Sequence, residues 1–230
     1  MKIDIKKCLE FFDEGPNYGD KHASAIVGMI GEDLNLIAFK HYMQSIKSDI
    51  EILSTNSVPN TGRVGPRLDS WIFKKHGNIL YQCEIKNWSS WAFGGRRLMI
   101  NADKLDAQEN ANYYWNKILN DHFIGKRRSD RVSKVLIEMN PPIGYEKNKR
   151  RPLLLFWWPV SKDKKLTPFF TVKTSALGVR FNYFRDFKEL DIFSVSLYFR
   201  ELLNGGVKHI EFNVPRVENR KKILDSILKK

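Results

Sequence analysis

Residues 67–87 read RLDSWIFKKHGNILYQCEIKN, and their pattern decides how the rest of the chain is organised. Two runs rich in aromatic and β-branched residues, 67–74 and 78–87, flank His76-Gly77, a pair suited to a tight turn. The stretch predicts a β-hairpin. If His76 and Gly77 form the turn, Lys75 faces Asn78, and the same register carried along both strands sets Asp69 opposite Glu84. Side chains alternate between faces along a strand. Lys86 therefore shares a face with Glu84, while Leu68, Ile72, Ile79, Tyr81, Cys83 and Ile85 collect on the neighbouring, apolar one.

Upstream of the hairpin, Ile26, Met29, Ile30, Leu34, Ile37 and Met43 recur at helical spacing over residues 22–45, with Asp20 available as a cap. Residues 51–53 begin a strand. A loop rich in Ser, Asn, Pro and Gly, 54–66, separates that strand from the hairpin. Downstream, residues 103–120 place Ala107, Ala111, Tyr114, Trp115 and Ile118 on one face of a second amphipathic helix. Apolar strands are expected at 132–139 and 153–160, on either side of a basic loop at 140–151 that contains Pro and Gly. Beyond residue 161 the pattern gives a strand at 169–173, a segment at 189–204 ambiguous between helix and strand, a strand at 207–214 and a terminal helix at 216–228. Internal repeats and low-complexity tracts are absent. The expected class is α/β: a mixed central sheet flanked by helices in the order αβββαβ over residues 1–160. Residues 161–230 form a C-terminal α+β elaboration packed on that core, within one domain overall.

The charge balance is basic. Thirty-nine Lys and Arg against 26 Asp and Glu leave a formal net charge of +13, with clusters at 126–128, 147–151, 162–165 and 220–222. Such a surplus favours a polyanionic partner, because cations that displace counterions from phosphates gain affinity whatever the base sequence. The five histidines are scattered and do not pair with Cys8 and Cys83 at zinc-ligand spacing, which argues against a structural zinc site. A glycine-rich phosphate loop, a dinucleotide fingerprint and a nucleophile elbow are all missing, so the commonest sequence support for those chemistries is lacking. No stretch reaches the roughly 18 apolar residues that span a bilayer, and residues 1–12 do not read as a signal peptide. The expectation is a cytoplasmic protein with reduced thiols and no membrane partner.

Two carboxylates facing each other across a strand pair repel unless a cation neutralises them. A divalent ion resolves the conflict, and hard oxygen donors suit Mg²⁺, with Mn²⁺ able to substitute. Lys86 would stand beside the attacking water, where it can orient the nucleophile and offset charge building on a phosphate. The competing reading of Asp69, Glu84 and Lys86 is an exposed ladder of surface ion pairs.

Asp69, fourteen residues, then Glu84-Ile85-Lys86 resembles the D-Xn-ExK signature of the PD-(D/E)XK nuclease superfamily, whose restriction-endonuclease-like core has the order helix, three strands, helix, strand. Leu68 stands where the name-giving proline would be. The resemblance implies that Asp69 and Glu84 bind the metal, that the Ile85 carbonyl adds a ligand, that Lys86 assists the water, and that Glu32 on the first helix supports a metal or a bound water. A solvated acid is the bland reading of Glu32. The implied activity is a Mg²⁺-dependent DNA endonuclease of restriction, phage-defence or repair type, and a C2 homodimer is the arrangement restriction enzymes often use. The alternative function is a nucleic-acid-binding protein that keeps the fold without cutting.

Further contacts to nucleic acid are expected from Arg67, from Arg96 and Arg97 after Gly94-Gly95, and from Lys149, Arg150 and Arg151 in the basic loop. The nearby Trp88, Trp91 and Phe93, like Trp157 and Trp158, read as core packing.

Overall fold

A computed structural model describes residues 2–14, 21–53, 68–86, 102–122, 135–161, 165–177 and 186–211. The chain opens with β1 (Lys2–Asp4) and α1 (Ile5–Glu14), followed by the long α2 (Lys21–Ser45), β2 (Ile50–Leu53), β3 (Ser70–Lys74) and β4 (Ile79–Lys86). Next come α3 (Lys104–Lys117), which runs on into a π-helical turn, Ile118–His122, and then β5 (Lys149–Phe156). The remaining elements are β6 (Phe169–Lys173), β7 (Glu189–Ser194), α4 (Val195–Asn204) and β8 (His209–Glu211). Six strands form one mixed sheet in the order β2-β3-β4-β5-β7-β6, and β1 pairs separately with β8. The class is α/β, with helices on a mixed central sheet.

The hairpin has the expected register. Ser70 pairs with Cys83, Ile72 with Tyr81 and Lys74 with Ile79, around a turn closed by the Asn78 N–H donating to the Lys75 carbonyl at 3.2 Å. Gly77 takes φ 88°, a left-handed conformation that glycine adopts without steric cost. On its other side β4 runs parallel to β5, and β5 parallel to β7, so the centre of the sheet is parallel and its margins are antiparallel.

Aromatic contacts fix the layers. Phe39 of α2 lies edge-on to Tyr81 of β4 at 6.2 Å and to Phe193 of β7 at 5.2 Å, and Tyr198 of α4 approaches the same Phe193 at 5.7 Å. α2 and α4 thus cover the face of Tyr81, Cys83 and Ile85. The other face belongs to α3, whose Trp115 packs on Phe170 at 5.8 Å. The α3 helix starts at Asp103, whose carboxylate accepts from the Asp106 N–H at 2.9 Å and so satisfies a donor the first turn cannot. Its expected face is buried at Ala111, Tyr114, Trp115 and Ile118. Leu34, Ile37 and Met43 of α2 are buried as the helical spacing predicts. Among the described residues no helix is long and apolar enough to cross a membrane.

Three expectations need correction. Of the strand expected at 132–139, residues 132–134 lie outside the described residues and 135–139 are not a strand: Val135 and Leu136 belong to a short turn, and the segment lies over the α3 face. One buried side chain meets three of its backbone groups, since Gln82 Nε2 donates to the Val135 carbonyl and, at 2.9 Å, to that of Ile137, while Gln82 Oε1 accepts from the Met139 N–H at 3.3 Å. A strand partner is not required when an amide supplies both donor and acceptor. Second, β5 begins at Lys149, so the last three residues of the expected basic loop are strand. The strand also stops at Phe156, and Trp157 and Trp158 follow as a fully buried bend. Third, residues 189–204 are both structures in succession: β7 to Ser194, then α4, with the Ser194 hydroxyl accepting from the Leu197 N–H at 3.3 Å as the helix cap. The strands expected at 169–173 and 207–214 correspond to β6 and to the shorter β8, and the expected terminal helix at 216–228 lies outside the described residues. Because β6 and β7 lie beyond residue 161, the central sheet is completed by the C-terminal third of the chain.

Candidate active site

β4 ends in the three residues Glu84, Ile85 and Lys86. Alternation along the strand turns Glu84 and Lys86 toward the α3 face, and both are buried: Glu84 has no exposed surface and Lys86 retains 8%. An exposed ladder of surface charges therefore does not describe them. Lys86 Nζ lies 2.7 Å from Glu84 Oε1, an ion pair between residues two apart on one strand. Strand geometry permits this contact because such residues share a face.

Asp69 sits just before β3, where the ladder to β4 becomes irregular. Its N–H donates to the Cys83 carbonyl at 3.1 Å, one residue short of its register partner, and its Oδ2 accepts from the Ile85 N–H at 2.7 Å. A carboxylate thus replaces a backbone carbonyl at this rung, which fixes Asp69 beside the Glu84-Ile85-Lys86 segment. Cys83 registers the concentration of charge. Burial, and then the negative charges of Asp69 and Glu84, hold its thiol well above the usual range.

Glu32 is carried by α2. That helix leads through Ser48 and Asp49 into β2, whose first residue, Ile50, is level with Ile79 at the start of β4, so α2 runs back against the direction of β4. Phe39 touches Tyr81, and Glu32 lies two turns earlier, about 10 Å along the helix axis. Glu32 consequently comes level with the Glu84 end of β4 but belongs to the helix on the opposite face. The adjacent Asp33 is buried at 5% exposure. Among the described residues, no three His, Cys, Asp or Glu side chains gather into a group that could hold a metal ion. Asp69, Glu84 and Lys86 form the cluster in place.

The basic residues divide. Arg67, Arg96 and Arg97, with Gly94, Gly95, Trp88, Trp91 and Phe93, lie outside the described residues. Lys149, Arg150 and Arg151 open β5 level with Ile79, Leu80 and Tyr81 of β4, which puts them toward the other end of the sheet from Glu84, about 10–17 Å along the strands at the usual rise. Arg150 contacts Glu138 at 2.5 Å and donates to the Met139 carbonyl at 3.2 Å. Arg151 grips Asp191 with two nitrogens, Nε at 2.5 Å and Nη2 at 2.7 Å, and reaches Glu189 at 3.2 Å. Both guanidinium groups are engaged with carboxylates of the protein itself.

Sequence reasoning passed over Gln82, which ties the 135–139 segment to the strand carrying Glu84, and Asp191, the partner of Arg151. Each had a signal. An amide at the centre of β4 and a lone acid in the apolar run of β7 are the residue types that require a buried partner. Comparison with protein-family models, curated proteins and solved structures finds no match.

Proposed function

We propose that the chain is a Mg²⁺-dependent nuclease that hydrolyses DNA phosphodiester bonds from a restriction-endonuclease-like core of the PD-(D/E)XK kind. The observation that carries the reading is the buried Glu84–Lys86 pair at 2.7 Å, with the Asp69 carboxylate bonded to the intervening Ile85 N–H. The element order gives further support. α2, β2, β3, β4, α3 and β5 follow one another as helix, three strands, helix and strand, with β4 parallel to β5.

The donor chemistry fits a hard divalent ion. Asp69 and Glu84 offer only oxygen, and Mg²⁺ is commonly held by one or two carboxylates, its other positions going to water and substrate phosphate. Asp69 and Glu84 would hold the ion, with the Ile85 carbonyl and Glu32 as the further ligands that the resemblance implies. The chemistry a bound ion would supply there is polarisation of a phosphoryl oxygen and activation of water near neutral pH. Lys86 has the role of positioning that water and countering negative charge on the phosphate. An ammonium carries three N–H donors, so its contact with Glu84 is compatible with donation to a water or a phosphate oxygen. The Asp69 bond to the strand backbone holds one carboxylate without relying on a mobile side-chain partner, which suits a site that must be in place before substrate arrives.

Cleavage of mixed genomic DNA, supercoiled plasmid and single-stranded DNA with Mg²⁺, Mn²⁺ or EDTA tests the reading. The parent should cut with either metal and not with EDTA, and Lys86→Ala should cut at least about a hundredfold more slowly. Cutting that survives EDTA, or that is unchanged in Lys86→Ala, would overturn the assignment.

A second reading has its own observation. Lys86 already neutralises Glu84, and the described residues contain no three-ligand group, as in a protein that binds nucleic acid without cutting it. On that reading Asp69→Ala binds Mn²⁺ and retains DNA as the parent does.

A further inference from the structure

At the end of the sheet remote from Glu84, a groove of about 700 Å³ opens between the start of β5, the exit of β6 and the residues leading into β7. Among the described residues, Lys149, Arg150, Arg151, Lys173 and Lys188 line it with two acids, Asp186 and Glu189. The arginines and Glu189 are committed to ion pairs. Arg150 is paired to Glu138 and Arg151 to Asp191. Glu189 is the cross-strand neighbour of Lys173 but contacts Arg151 at 3.2 Å, and Asp186 accepts from the Glu138 N–H at 3.1 Å. Lys149, Lys173 and Lys188 remain, each exposed, and none has a carboxylate partner among the described residues.

Three ammonium groups around one concave surface outnumber Asp186, the one lining acid whose contact is a neutral N–H, and so create a local positive potential that favours a compact polyanion. The walls are set in advance: the Thr174 hydroxyl donates to the Phe187 carbonyl at 2.7 Å and the Thr174 N–H donates to the Lys188 carbonyl at 2.9 Å, fixing the β6 exit to the β7 entry. Prior fixation lowers the ordering cost of binding. Pro152 and Phe187 supply an apolar part of the lining, and the volume lies in the range of small-ligand pockets.

From this we infer that the groove binds a small ligand carrying two or three linked phosphates, of the nucleoside oligophosphate class, at a site separate from the Glu84 cluster. A monophosphate would engage fewer of the three lysines. The inference rests on the groove and not on the cleavage reading, so either can fail alone.

Calorimetric titration of the full chain at low ionic strength, without added metal, with inorganic triphosphate and with adenosine triphosphate, tests it. Both probes should bind saturably, more weakly as salt is raised. Combined Lys149→Ala, Lys173→Ala and Lys188→Ala should weaken both by at least about tenfold, the factor that 1.4 kcal/mol represents. Thermal unfolding of that variant should match the parent, since all three side chains are exposed; Lys188→Glu alone provides a second variant with the same expected direction. No saturable binding at millimolar probe, or equal binding by the parent and the triple variant, would overturn the proposal. It would also be overturned if the substitutions abolish binding of a single-stranded oligonucleotide and leave triphosphate unaffected, because the groove would then be a nucleic-acid track.

Discussion

Two ion pairs, each with a buried carboxylate, lie on neighbouring strands of this sheet, on opposite faces, and they are built differently. Arg151 and Asp191 join β5 to β7 through a planar fork that takes both carboxylate oxygens, and the Thr171 hydroxyl donates to the same Asp191 at 2.6 Å. Glu84 and Lys86 belong to one strand, and one ammonium meets one carboxylate oxygen. A bidentate contact between elements distant in sequence stitches the sheet together. A contact within a single strand joins nothing that the backbone has not already joined, so a structural purpose accounts for the first pair far better than for the second.

The largest effect that could break this contrast is on stability. Arg151→Ala leaves Asp191 buried without its main counter-charge and should cost about 3–5 kcal/mol, read as a lowered urea midpoint. Cleavage per folded molecule should stay close to that of the parent. Lys86→Ala should do the reverse in proportion, reducing cleavage by a larger factor than its loss of folding free energy would give. Should Arg151→Ala abolish cleavage in protein that is still folded, the division between a structural and a chemical pair would collapse.

Gln82→Leu sharpens the comparison on the Glu84 face. The substitution removes both halves of the clamp on residues 135–139, and each backbone group left buried and unsatisfied costs about 1–3 kcal/mol. Hydrogen exchange at the Met139 amide should rise more than at Ile72, in the neighbouring hairpin. Uniform acceleration across the sheet would show that the clamp is not local.

A smaller effect is expected from His41, whose Nδ1 lies 2.5 Å from the Tyr198 hydroxyl between α2 and α4. Burial lowers its pKa below the ordinary 6.5, so the folded state disfavours the imidazolium that the unfolded chain readily accepts. Its contribution to stability is complete above pH 6.5 and is lost as pH falls below that value through the lowered one. His41→Phe should flatten that part of the stability profile. An unchanged pH dependence would place the titration elsewhere.

The hairpin, including its register, was legible because a glycine turn and strict alternation are local signals. So was the cluster at its end: Asp69 comes to the Glu84 segment because the register brings it there. The start of β5 was not legible. Lys149, Arg150 and Arg151 read as a basic loop because what makes them strand residues is remote in sequence: they pair with Ile79, Leu80 and Tyr81 of β4, about seventy positions earlier, and Arg151 meets Asp191 of β7 about forty positions later. Residues 189–204 were ambiguous for a related reason, since a strand buried on both faces loses its alternation and resembles the buried helix that follows it. Glu32 was legible as an acid on the first helix, but its side of the sheet depends on where α2 packs.

The arrangement of parallel and antiparallel strands also implies an order of events in folding. The β3–β4 hairpin closes across a four-residue turn, whereas β5 can join β4 only after α3 and the segments around it have been traversed, and β7 must then find β5. Closing long loops costs entropy before any contact rewards it. The strand bearing Glu84 and Lys86 should therefore take shape early, and the Arg151–Asp191 junction late. Substitutions in the hairpin should act mainly on the refolding arm of a chevron plot, and substitutions at Asp191 mainly on the unfolding arm. Of the two pairs, the one that joins separate strands is therefore expected to form last, and the lifetime of the folded chain should respond more to its loss than to changes in the hairpin.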